Sequence, residues 1–432
     1  MFVDYQIENV LSFGGAASIS MMAQRKTTRH KDHVVESAGV RCLRGAVVYG
    51  PNASGKSNLI KSIGLLKAAI DVDDCKVLAG NQFALGKENT PVMSWRITFT
   101  AGNDLFVFLF KTDGVVVVEE SLEIIGEERE PLYSRRGNTI HLGRLLAADK
   151  WFDTKVRTNA FYLRKVVSDG LFERKPGTLA SRKMAAAIRS LTSVEIIRPE
   201  SVPRPDRLAQ RLRISDFKVF LSRLVRAADV GITDIKWRPI PPESRISEMA
   251  KYYLPPHALE RDGVSFFYTH DSFVAAVVNQ GKPAYYELQF IHGGVPLRNV
   301  RESDGTIRLL HYSVFLYSLS SEKRLWLIDE VDRCLHPFLT RFVVTEALNH
   351  PGSESQLLVT THDVTLMTQE IWRTDEVWFT NKEPRGDSSI YSLYQFKPRF
   401  DADIEKKYRE GLWGAVPMLS EVRENNDCTE KE

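Results

Sequence analysis

An α/β fold in two sequence parts, with N-terminal antiparallel strands and a basic, mainly helical insertion, is what this sequence predicts. Three observations carry that expectation. Residues Gly50-Pro51-Asn52-Ala53-Ser54-Gly55-Lys56-Ser57 satisfy the phosphate-loop pattern G-x-x-x-x-G-K-[ST] at every fixed position. A distant apolar run, Leu325-Trp326-Leu327-Ile328, ends in two carboxylates, Asp329 and Glu330. Between these landmarks, from about 150 to 285, apolar residues recur at helical spacing. The implied division is 1–150, 151–285 and 286–432.

Phe2-Val3-Asp4-Tyr5-Gln6-Ile7 alternates as a strand, Asn9–Phe13 continues it, and Ala17-Ser18-Ile19-Ser20 follows a Gly14-Gly15 turn. Residues 23–45 are polar and basic and read as an exposed connection, with His30 and His33 as surface residues. Ala46-Val47-Val48-Tyr49 is the strand that feeds the phosphate loop, and the helix after it runs past Ala69. Asp71 and Asp73 then read as loop solvation. Strands are expected at Met93–Phe99, Leu105–Phe110 and Val115–Ile124, with turns near Asn103 and Gly114. Helices are expected at Leu179–Leu191 and Arg207–Val230, and strands at Ser265–Thr269 and Ala284–Phe290.

Composition limits the function classes. A chain of 432 residues with 43% apolar and 10% aromatic content can bury one large core or two to three ordinary ones. No run approaches the roughly 18 apolar residues of a membrane span, and the first residues lack a signal-peptide pattern, so a cytoplasmic protein without a membrane partner is expected. Cys42, Cys75, Cys334 and Cys428 are too scattered for a disulfide framework or a zinc knuckle. The net charge is only +3, yet residues 135–226 hold 21 Lys and Arg against 8 Asp and Glu. That segment is either a solvated helical surface or a patch for nucleic acid or an acidic partner.

The candidate site follows from phosphate chemistry. Glycines let backbone N–H groups curl around phosphates, and the helix opening at Gly55 adds its positive dipole end. Lys56 would neutralise the β- and γ-phosphates of ATP, and Ser57 would hold Mg²⁺. Asp329 would orient Mg²⁺ or its waters, and Glu330 would polarise the attacking water. His362 ends the next apolar strand, Gln356–Thr361, and would sense the γ-phosphate or steady Glu330 and the water.

These segments together resemble the ABC-type P-loop ATPase heads of the RecF, SMC and OLD class. Gly50 to Asn58 is similar to their Walker A, Leu325 to Glu330 to their Walker B, Asp332 to Pro337 to their D-loop, and His362 to their switch histidine. Arg301 to Leu310 resembles the ABC signature, although Asp304 replaces its first glycine and Thr306 its usual Gln or Glu. The resemblance implies that Gly50, Asn52, Ser54, Gly55, Lys56, Ser57 and Asn58 hold ATP, and that Ser303 and Gly305 cap ATP on the opposite subunit. A homodimer, or a higher homo-oligomer, closed around ATP is the implied assembly. Within the class, the chain looks most similar to short AAA ATPases of prokaryotic anti-phage and abortive-infection operons, including at Tyr408–Pro417. Gln82 is not assigned as a Q-loop residue. Three functions remain open: an ATPase that controls a separately encoded toxin or nuclease, a DNA recombination or repair ATPase, and a nucleotide-gated scaffold.

Overall fold

The apolar runs Gly45–Tyr49 and Leu325–Ile328 gather in one sheet, and the alternating strand Phe2–Glu8 lies in another. The computed structural model describes residues 1–85, 92–149, 152, 154–168, 178–200, 211, 215–228, 230–260, 262–269, 272–298, 302–399 and 402–417. The chain opens with β1 (Phe2–Glu8), β2 (Ala17–Ser20), β3 (Val34–Ser37), β4 (Val40–Leu43), β5 (Gly45–Tyr49) and α1 (Lys56–Val72). An antiparallel run follows: β6 (Met93–Ala101), β7 (Asp104–Thr112), β8 (Val117–Ile125), β9 (Arg129–Arg136) and β10 (Thr139–Leu142). The middle holds α2 (Tyr162–Ser168), α3 (Leu179–Thr192), β11 (Val194–Ile197), α4 (Ser215–Ala227), β12 (Asp234–Ile240), α5 (Arg245–Tyr253), β13 (Gly263–Tyr268), β14 (Phe273–Asn279), β15 (Lys282–His292) and β16 (Val295–Arg298). The last part adds α6 (Asp304–Ser318), β17 (Leu325–Ile328), α7 (Pro337–Leu348), β18 (Gln356–Thr360), β19 (Val377–Lys382), β20 (Ser388–Ser392) and α8 (Ile404–Arg409).

The central sheet has the order β11-β17-β18-β5-β19-β20 and is parallel except at β20. Every residue of β5, β17 and β18 is buried, as expected of parallel strands covered on both faces. The second sheet, β10-β9-β8-β7-β6-β1-β2, is antiparallel and alternates buried with more exposed positions along β1. Helix α1 is buried on several sides because it lies in the core shared by both sheets. Tyr5 of β1 meets Ser62 of α1 at 2.8 Å, and a Cβ on Gly64 would lie 2.6 Å from Ile196 of β11. The mid-helix glycine therefore allows a close helix–sheet approach, and an added methyl would require the end of the Ile196 side chain to move.

Residues 151–285 carry the expected helices but also strands. β11 belongs to the central sheet, and β12 to β15 form most of a third sheet, β12-β15-β14-β13 with β16 on β15. Four residues are too few to show a period in β11, and Pro239 makes β12 read as loop, although proline is tolerated on an edge strand. Helix α4 spans Ser215–Ala227; the expected start at Arg207 lies outside the described residues. Among the described residues, no helix is long and apolar enough to cross a membrane.

Within the expected exposed connection at 23–45, residues 24–32 are exposed or half-buried as expected, but residues 34–43 form the β3–β4 hairpin and His33 is only 1% exposed. Its Nδ1 lies 3.0 and 3.1 Å from the two Glu376 carboxylate oxygens, and its Nε2 lies 3.3 Å from Asn349 Oδ1. Burial alone would lower the His33 pKa, but the hydrogen bond and charge of Glu376 outweigh it and raise the value. Burial also raises the Glu376 carboxyl, against the pull of His33. With both ring nitrogens on acceptor oxygens, we take His33 as the charged member of an ion pair. Its contribution is complete below the unfolded pKa of about 6.5 and is lost as pH rises through the raised folded value. His33→Asn should cost roughly 3 kcal/mol near pH 6, and the melting-temperature gap to wild type should narrow toward pH 9. A gap independent of pH would show that the ring is neutral.

Candidate functional site

Strand β5 ends at Tyr49 and hands the chain to a loop that only glycine can make at two points. Gly50 has φ 157° and Gly55 has φ 112°. A Cβ on Gly50 would lie 2.4 Å from the Thr380 carbonyl oxygen, and one on Gly55 would lie 2.5 Å from Ser388 Oγ. Ser54 is buried and shares a 2.7 Å hydrogen bond with Thr380, which pins the loop to β19. Asn52 is exposed on the loop, and Asn58 is half-buried in the first turn of α1.

Lys56 bends back over this loop. Its Nζ donates to the carbonyls of Gly50 at 2.8 Å and Pro51 at 2.9 Å. Burial lowers its pKa to about 8, against the opposing pull of Asp329, Glu330 and Asp332. A buried ammonium held by neutral carbonyls is well placed for exchange onto phosphate oxygens.

The second half of the site comes from β17 and β18. Asp329, 7% exposed, accepts two hydrogen bonds on Oδ1, from Ser57 Oγ at 3.1 Å and from Thr360 Oγ1 at 2.5 Å. Thr360 also accepts the Glu330 backbone N–H at 2.9 Å, and Glu330 takes a left-handed φ of 49°. The Glu330 carboxylate meets Arg333 at 3.2 Å. Asp332 Oδ1 accepts Thr361 Oγ1 at 2.6 Å and the His362 N–H at 3.3 Å. Desolvation and then the Lys56 charge lower the His362 pKa, against Asp332, Glu330 and Asp329, so the ring is neutral at pH 7. The glycine cradle, the cation and the Ser57–Asp329 oxygen pair fit a nucleotide phosphate chain with Mg²⁺, which takes hard oxygen donors.

The structure thus brings Lys56, Ser57, Asp329, Glu330 and His362 to one edge of one sheet. Ser303 and Gly305 lie elsewhere. Ser303 caps α6 by accepting the Thr306 N–H at 3.1 Å, and a Cβ on Gly305 would lie 2.6 Å from the Cys334 carbonyl oxygen. The signature-like segment therefore packs on the 332–337 turn, and among the described residues none of its hydrogen bonds reaches the phosphate loop. Arg301 lies outside the described residues. Gln82 donates to the Asp113 carbonyl at 3.2 Å and remains unassigned.

Sequence reasoning missed Thr360 and Arg308. Arg308 of α6 is 5% exposed; it donates to Tyr312 OH at 3.0 Å, the Arg198 carbonyl at 2.7 Å and the Asp329 carbonyl at 3.4 Å. Tyr312 OH in turn donates to the Val331 carbonyl at 3.1 Å. An arginine inside the apolar run Ile307-Arg308-Leu309-Leu310 was the available signal. His292 of β15 holds Glu302 at 2.7 Å, tying the third sheet to the residue before Ser303.

Part of the basic segment is neutralised internally, while Arg144, Arg182, Arg198, Arg223 and Arg226 are exposed. Arg135 is buried against Glu120, Arg157 pairs with Asp73, Lys183 with Asp104, and Arg211 with Glu322. Arg211 also stands over the Tyr317 ring. Lys218 is exposed, and Arg207 lies outside the described residues.

A family model described as "AAA domain, putative AbiEii toxin, Type IV TA system" matches residues 46–368. No curated protein is significantly similar in sequence. Among solved structures, the SMC head domain from Thermotoga maritima is 14% identical, with a TM-score of 0.39, over 90% of this chain and 98% of that one. An Smc head domain with an extended coiled coil, bound to the C-terminal domain of ScpA and derived from Pyrococcus furiosus, is 13% identical, with a TM-score of 0.41, over 95% and 99%.

If Lys56 holds phosphate as an ammonium, nucleotide binding above its pKa of about 8 is accompanied by proton uptake. ATP affinity measured by calorimetry should be level just below pH 8 and then fall, approaching about tenfold per pH unit. Affinity that stays level to pH 9.5 would remove Lys56 from nucleotide binding.

Proposed function

The chain belongs to this AAA-domain family, and from that premise we propose that it hydrolyses ATP and uses the cycle to control a separately encoded toxin or nuclease in anti-phage defence. The observation that carries the ATPase reading is the convergence of Lys56, Ser57, Asp329, Glu330 and His362. Lys56 and the loop N–H groups would hold the phosphates of ATP, while Ser57 and Asp329 would hold Mg²⁺. When bound, Mg²⁺ neutralises phosphate charge and aligns the transferred group. Glu330 accepts the proton of the attacking water, and neutral His362 orients it by hydrogen bonding. Thr360 fixes Asp329 Oδ1 and the Glu330 backbone at once.

The regulatory part of the reading rests on two supports. The family description names a toxin and a toxin–antitoxin system, and the one catalytic constellation we find among the described residues is the ATPase site. The chain would work in the cytoplasm. Two copies would close around ATP with two-fold symmetry, each supplying Ser303 and Gly305 to the other's nucleotide. Opening and closing of that dimer would gate an operon-encoded effector.

Lys56→Ala should abolish hydrolysis, because it removes charge-assisted phosphate contacts worth about 1.5–3 kcal/mol each. Unchanged turnover in that variant would remove the phosphate-loop assignment. Glu330→Gln should slow hydrolysis by roughly 10²–10⁴ and hold a closed dimer with ATP and Mg²⁺ in light scattering. Adding Ser303→Arg should abolish that dimer; persistence of the dimer would defeat the shared-site arrangement. Co-expression with the adjacent gene tests the effector, since growth arrest should differ between wild type and Lys56→Ala.

A further inference from the structure

At the opposite edge of the central sheet from the phosphate loop lies a cleft of about 550 Å³ between α1, β6, α3 and the starts of β11, β17 and β18. Its volume falls in the range of about 300–1,000 Å³ typical of small-ligand sites. Leu66 and Ile70 of α1, Phe99 of β6 and Leu191 of α3 give it apolar walls. Its charged lining is mostly cationic: the Met1 ammonium, held by Thr100, with Lys67, Arg189, Lys323 and Arg324, against one carboxylate, Glu354.

Most of these charges are already paired. Lys67 is held by Asp71, Lys323 by Glu354 at 2.5 Å, and Arg324 by Glu195 at 2.7 Å and Glu322 at 2.5 Å. Among the described residues, Arg189 has neither an ion pair nor a hydrogen bond, and it is exposed on α3 at the cleft. Apolar walls beside a guanidinium that has no partner among the described residues suit a ligand with an apolar body and an anionic head.

We propose that this cleft is a second ligand site, for a small amphipathic anion whose carboxylate, sulfonate or phosphate head pairs with Arg189. Its position links it to the nucleotide site. Helix α1 carries Lys56 and Ser57 at one end and lines the cleft about 15 Å farther along, at Leu66. Strand β17 leads from Leu325 in the cleft to Asp329, and β18 leads from Gln356 in the cleft to Thr360. A ligand that wedges α1 from β11 and β17 would shift the two elements that lead to Lys56 and Asp329. Such a device suits a sensor, although binding at the cleft does not depend on the proposed function.

The test uses two fluorescent dyes, the anionic anilinonaphthalene sulfonate and its uncharged analogue N-phenylnaphthylamine, titrated into the full chain without nucleotide. Both should saturate at one per chain, with the sulfonate at least tenfold tighter. Arg189→Glu should weaken the sulfonate at least tenfold and leave the uncharged dye unchanged, which also shows that the variant is folded. Ala186→Trp, which places an indole in the cleft, should abolish binding of both dyes. Retention of a fluorescent ATP analogue by this second variant checks its folding. Equal sulfonate affinity in Arg189→Glu, or dye binding that survives Ala186→Trp in folded protein, would overturn the proposal. Either result leaves the ATPase reading untouched, because no step of the test involves hydrolysis.

Discussion

One carboxylate oxygen, Asp329 Oδ1, ties the two halves of the nucleotide site together. It accepts Ser57 from the start of α1 and Thr360 from the end of β18. The sheet order explains why this is possible: β18 lies between β17 and β5, with Ile328 beside Val359 and Val359 beside Val47. The ends of all three strands therefore finish together, and residues some 270 positions apart in the chain meet at one edge. A parallel sheet places its ligands at such an edge because backbone groups of the loops beyond the strand ends are not taken up by the ladder, and side chains from several strands converge there.

That edge is braced from behind. Arg308 and Tyr312 strap α6 to the carbonyls of Arg198, Asp329 and Val331. A buried guanidinium that donates to backbone carbonyls on separate segments restricts how those segments shift relative to one another. Because Ser303 caps the same helix, movement of α6 and the setting of the Asp329–Glu330 turn are mechanically connected. The His292–Glu302 contact extends the connection into the third sheet. On the other flank, Tyr408 and Trp413 pack on Phe379 of β19, and their segment is closed by Tyr391 OH on the Trp413 carbonyl at 2.7 Å.

Phosphate-loop geometry was legible because it depends on local backbone chemistry: Gly50, Gly55 and Lys56 carry the pattern in eight consecutive residues. Buried strands were legible for a related reason, since β5, β17 and β18 are apolar without interruption. What the sequence concealed depends on distant partners. His33 looked like a surface histidine because Glu376, its partner, lies 343 positions away. β11 is four residues long, and only its pairing with β17 makes it a strand. Counting charges in the basic segment could not separate Arg135, buried against Glu120, and Arg211, paired with Glu322, from the residues that stay exposed, such as Lys218 and Arg223.

We propose that one chain holds most of an ATP site and that a second chain completes it. The measurement that addresses this most directly is the ATP hydrolysis rate per chain, followed over a hundredfold range of chain concentration with saturating ATP and Mg²⁺. If two chains make each active site, the rate per chain rises with concentration and levels off once the dimer is populated. A measurable rate per chain that stays constant across the whole range, with the protein monomeric throughout, would contradict it.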